Sequence, residues 1–133
     1  MNDLLQWLTN FALDHDIGVI FTPYFEPTTP SQSNGDYRVV VINSNWHNQN
    51  EVSFCFAHEI GHVLNHDSGV NNYSSPSVSS KEEYQANLKA IQLLLLYCKI
   101  NDIHFQSSIE FCRQFGVPMN YEYMVELVLN NIN

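Results

Sequence analysis

Basic residues are scarce in this sequence. Five Lys and Arg stand against fourteen Asp and Glu, a formal net charge of −9. Nucleic-acid binding rests on Lys and Arg neutralising phosphates, so no direct contact with DNA or RNA is expected. Long apolar runs are also lacking, and mean hydropathy is −0.21. Nothing approaches the ~20 apolar residues that span a bilayer. The longest run, Ala90 to Tyr97, is interrupted by Gln92 and reads as a buried helix. Cysteine is limited to Cys55, Cys98 and Cys112. An odd number without a C-x-x-C spacing argues against a disulfide framework and against a cysteine zinc site. No Lys or Arg precedes Arg38, so the positive region of a secretory leader is missing and a cytoplasmic protein is expected.

What is present suits one packed domain over 1–133, with 44% hydrophobic and 13% aromatic residues in the 133. The pattern predicts an α+β fold. Leu4, Leu5, Trp7, Leu8, Phe11 and Ala12 recur at helical spacing over 3–13. Ile17 to Phe25 and Tyr37 to Ile42 read as strands, the second with Val39, Val40 and Val41 suggesting burial on both faces. Between them, Glu26 to Asp36 carries Pro27, Pro30 and Asn34-Gly35 and reads as a loop. A second helix is predicted from Glu51 to about Asp67 and a third, the longest, from Lys81 to Lys99. The Ser-, Asn- and Gly-rich stretch Asp67 to Ser80 separates them. Two further helices, Ser107 to Phe115 and Tyr121 to Leu129, flank Gly116-Val117-Pro118.

The chemistry concentrates in His58-Glu59-Ile60-Gly61-His62. Helical residues four apart differ by roughly 40° and about 6 Å of rise. His58 and His62 therefore share a face and can meet at one ion, with Zn–N near 2.0–2.1 Å. Glu59 lies about 100° around from His58, beside the ligands, where a general base for a metal-bound water belongs. Phe56, Ile60, Val63 and Leu64 lie opposite the histidines. That side is expected to pack on the strands, with the histidines facing a cleft.

A third ligand is needed. His66 lies roughly 80° and 12 Å from His58 if the helix continues, too far for one ion, and no glycine before Gly69 breaks the helix. Glu83 opens the third helix, with Ala86, Asn87, Ala90 and Leu94 on its side; the small alanines permit close approach to the second helix. Spacing alone leaves Glu82 in competition with Glu83, because either residue can serve an N-terminal capping box. Asn87, four residues after Glu83, is placed to brace a ligating side chain without being a ligand.

Three blocks resemble the ImmA/IrrE family of small zinc metallopeptidases. They are Tyr37-Arg38-Val39-Val40-Val41-Ile42-Asn43, then Phe56-Ala57-His58-Glu59-Ile60-Gly61-His62-Val63-Leu64-Asn65-His66, then Glu83-Tyr84-Gln85-Ala86-Asn87. The resemblance implies a minimal zincin fold, a small sheet against the motif helix with a second helix bringing the glutamate. It implies zinc held by His58, His62 and Glu83, with Glu59 as catalytic base. Family members are linked to cleavage of helix-turn-helix repressors in phage, mobile-element or stress circuits. This sequence departs in having Lys89 where an aromatic is usual, and Leu93-Leu94-Leu95-Leu96-Tyr97 where the third helix usually closes in Leu-Leu-Met-Pro.

The expected function is zinc-dependent cleavage of a protein regulator. The alternatives are a weakly active or inactive module of the same fold that docks a regulator, and a structural zinc site closed by His66 or Asp67. Candidates for an oxyanion donor are His104, Tyr73 and Tyr97. The polar stretches 26–36 and 67–80 are expected to order when a protein partner docks.

Overall fold

The computed structural model describes residues 2–66, 70–71 and 80–131. Helix α1, Asp3–Asp14, starts where the Asn2 side chain accepts from the Leu5 amide. It buries Leu8 and Ala12, and the chain leaves it through Asp16 in the left-handed region at φ 59°. Strands β1 (Gly18–Thr22), β2 (Gln32–Asn34), β3 (Val39–Asn43) and β4 (Val70–Asn71) form one sheet in the order β1-β3-β2-β4. β1 runs parallel to β3, with Val19 opposite Val40 and Phe21 opposite Ile42. β2 is antiparallel to both of its neighbours, setting Ser33 opposite Val40 and Asn71.

The sheet has one covered face. Val40 and Ile42 are fully buried, whereas Val39 and Val41 are only half-buried and Ile20 is 51% exposed. The expected burial of the valine run on both faces therefore fails: alternation along the strand sends its odd members to an uncovered side.

The stretch 26–36 also differs from the open loop expected. It contains β2, and its first part is tied to the end of β3. The buried Asn43 amide donates to the carbonyls of Glu26 and Thr29, and its backbone N–H donates to Ser31 Oγ. This segment is held without a partner. Most of 67–80 lies outside the described residues.

Helix α2, Val52–Leu64, packs between the sheet and helix α3, Ser80–Ile100. It is buried along almost its whole length, histidines included. The expected split between an apolar back and a His face open to a cleft is thus replaced by a central helix covered on both sides. α2 ends at Leu64, short of the predicted Asp67, because Asn65 caps it and His66 turns left-handed at φ 62°. Helices α4 (Ser108–Phe115) and α5 (Glu122–Asn130) close the far end, with α5 on α3. Ser107 caps α4 at its start. Gly116 ends it at φ 71°, where a side chain would strike the Asn50 carbonyl.

Candidate metal centre and active site

The site is built where α2 crosses the first turns of α3. Gly61 makes the crossing close. A Cβ there would lie 2.9 Å from the Ala86 carbonyl oxygen and 3.2 Å from Lys89 Cβ. Such contact with helix backbone would push α3 away. With Gly61 facing Ala86, the first turn of α3 brings Glu83 onto the histidines.

Three side chains converge there. His58 Nε2 lies 2.9 Å from Glu83 Oε2, His62 Nε2 lies 3.0 Å from Glu83 Oε1, and the two Nε2 atoms are 3.1 Å apart. Ligands bound tetrahedrally at ~2.0–2.1 Å stand about 3.3–3.4 Å from one another, so this spacing is close to one face of such a shell. The chemistry of the donors fits as well. Two ring nitrogens and a carboxylate present lone pairs to one point, which a divalent cation satisfies together. Among the described residues this is the cluster able to hold a metal.

Asn87 fixes the tautomer. Its Oδ1 accepts from His58 Nδ1 at 2.7 Å, so the proton sits on Nδ1 and Nε2 keeps its lone pair toward the centre. Burial lowers the proton affinity of His58, against the opposing pull of Glu83. Burial alone would raise the Glu83 carboxyl, but the two histidine rings beside it outweigh burial and hold it down to about 2. Neutral imidazole beside ionised carboxylate is the state a metal requires.

Glu59 differs from Glu83 although both are acids at one site. It is wholly buried, and neither carboxylate oxygen has a hydrogen-bond partner. Burial pushes it up to about 8, with His62 and Ser33 pulling down and Glu83 pushing up. It does not join the three converging side chains. A carboxyl poised near neutrality beside a metal site is suited to taking and returning a proton.

The other candidates lie elsewhere. His66 is exposed, beyond the end of α2, and outside the cluster. The cluster that could hold a metal includes Glu83 and not Glu82. Tyr97 is four turns along α3 from Glu83, about 21 Å of rise, and packs edge-on against Trp7. His104 pairs with Asp102 at the surface. Neither can serve as an oxyanion donor, because α3 carries them to the opposite end of the fold. Tyr73 and Asp67 lie outside the described residues. Burial, then Glu59 and Glu51, pushes the Cys55 thiol up to about 12, and burial pushes Cys98 and Cys112 up to about 11. Two contributors, Gly61 and Ser33, were not singled out by spacing. A glycine inside a helix costs about 1 kcal/mol against alanine, and that cost was the available signal for Gly61. Ser33 sits in a stretch dominated by turn residues and carries no such mark.

The model of the IrrE N-terminal-like domain, a peptidase family, matches residues 12–122. The chain belongs to that family. Membership in the IrrE N-terminal-like family gives it a metallopeptidase-type function, and the match runs from the end of α1 to the start of α5, through both helices of the site. No curated protein and no solved structure gives a significant match. No helix among the described residues is long and apolar enough to cross a membrane.

Proposed function

We propose that the protein is a zinc-dependent endopeptidase acting on a protein regulator in the cytoplasm, a helix-turn-helix repressor of a phage or mobile element being the substrate class. The carrying observation is the convergence of His58, His62 and Glu83 on one point, with the wholly buried Glu59 carboxyl unpartnered beside them. His58, His62 and Glu83 are the residues to hold the ion. Zinc in such a site polarises a carbonyl and acidifies water. Glu59 takes the proton of the attacking water and passes it to the departing amine. Asn87 keeps the His58 ring aimed.

A buried carboxyl without a partner is costly, and a module that only docked a partner would have no use for it. The repressor as substrate is supported by the family resemblance, and the net charge of −9 suits a basic protein partner. Zinc-loaded wild type and Glu59→Gln, incubated with the regulators encoded beside the gene, test the proposal. The wild type should cut at one regulator and the variant should not. Cleavage by both at one rate, or by neither, would contradict it.

A further inference from the structure

Ser33 occupies the middle of β2, the strand that packs on α2 from the sheet side. The strand is paired along both edges, which sets Ser33 opposite Val40 of β3 and Asn71 of β4. Its neighbours Gln32 and Asn34 are half-buried, but Ser33 is 2% exposed and its hydroxyl has no hydrogen-bond partner. Alternation along β2 turns Ser33 to the covered side of the sheet, against α2, where Glu59 is wholly buried and both of its carboxylate oxygens lack a hydrogen-bond partner. Ser33 is near enough to favour the charged form of that carboxylate. Two buried polar groups, each without another partner, thus confront one another across the contact of β2 with α2.

Buried hydroxyls and carboxylates are almost always paired, and an idle one is a cost that alanine would remove. The arrangement is therefore informative. A hydroxyl can donate to a carboxylate and accept from a carboxylic acid, so one residue can accompany Glu59 in both of its forms. The strand backbone is a rigid mount, better suited than a loop to keeping a carboxylate in line.

We propose that Ser33 is the positioning residue for Glu59: its hydroxyl donates to the carboxylate and holds it aimed at the point where His58, His62 and Glu83 converge. The proposal rests on the reading of Glu59 as the base.

The test uses the full chain with ¹³C-labelled glutamate. The Glu59 carboxylate band is isolated in the infrared by subtracting the spectrum of Glu59→Gln in the same background, for wild type, Ser33→Ala and Ser33→Thr, zinc-loaded and metal-free, the latter at a pH well above the value of about 8 at which the carboxyl ionises. The band should move in Ser33→Ala and return in Ser33→Thr. With an internally quenched peptide library as substrate, kcat of Ser33→Ala should fall about tenfold, with KM and zinc content unchanged and most of the rate restored in Ser33→Thr. A band unmoved by Ser33→Ala overturns the proposal, as does a moved band with wild-type kcat. Should Glu59→Gln cut as fast as wild type, the base assignment fails separately, and the band alone decides whether Ser33 holds the carboxylate. The band decides equally if the wild type cuts no peptide in the library.

Discussion

The two halves of α3 are built on opposite rules. Its first half presents Glu83, Ala86, Asn87 and Ala90 to α2, small or polar residues that let the helices close and bring donors to one point. Its second half buries Leu93, Leu94, Leu95 and Cys98 and packs against α5. Beside that packing lies an open, mostly apolar cavity of about 740 Å³, lined in part by Leu88, Leu96, Ile103 and Leu127. One helix thus carries chemistry at one end and cohesion at the other. Substitutions in the two halves should separate metal binding from stability.

The largest effect is expected in the cohesive half. Leu94 is fully buried, so Leu94→Ala should lower unfolding free energy by about 2–5 kcal/mol. Below its melting temperature the variant should still bind one zinc per chain. Denaturant unfolding with metal analysis checks both statements. Loss of zinc from the folded variant would show that the two halves are not separable.

The next effect comes from Glu59 in the metal-free protein. Its carboxyl is raised from an ordinary 4.5 to about 8 by burial. Between those values the folded chain holds a proton that the unfolded chain has lost, so stability must fall as pH rises through that window. The slope has an upper limit of about 1.4 kcal/mol per pH unit. Glu59→Gln should remove it, leaving the variant more stable than wild type at pH 8 and level with it by pH 4.5. Parallel melting profiles across the window would show that Glu59 is not held in a dry site.

Smaller changes are expected in the other half. Asn87→Ala removes the acceptor that fixes His58 and should weaken zinc binding 10–100-fold with little change in melting temperature. Gly61→Ala gains helix propensity of about 1 kcal/mol but forces α3 outward against Ala86. It should lose about tenfold in zinc affinity and, because overpacking of this kind costs about 1–3 kcal/mol, up to about 2 kcal/mol of stability after the propensity gain. Competition titration against a chelator measures both. Unchanged affinity in Gly61→Ala would mean that close approach of the helices does not position Glu83.

Much of this contrast could be read before any coordinates. His58, Glu59 and His62 follow from helical spacing, and the alanines of α3 announce a close crossing. Glu83 and Glu82 could not be separated by spacing, because both open α3 and its capping depends on where the helix starts. β2 was hidden because three strand residues sit among Pro27, Pro30 and Asn34-Gly35, and turn chemistry dominates so short a stretch. Ser33 was hidden with it. The valine run misled because a continuous apolar strand fits both a covered and a half-covered sheet. Tyr97 and His104 are plausible donors by residue type alone; only the length and direction of α3 remove them.

The central claim is that His58, His62 and Glu83 hold one zinc. X-ray absorption at the zinc edge of the loaded wild type, beside Glu83→Ala and the His58→Ala, His62→Ala double variant, tests it most directly. The wild type should show two imidazoles and oxygen at ~2.0–2.1 Å. Glu83→Ala should keep both imidazoles with weaker binding, and the double variant should retain no stoichiometric metal. A sulfur scatterer, fewer than two imidazoles in the wild type, or equal metal content in the double variant would contradict the account.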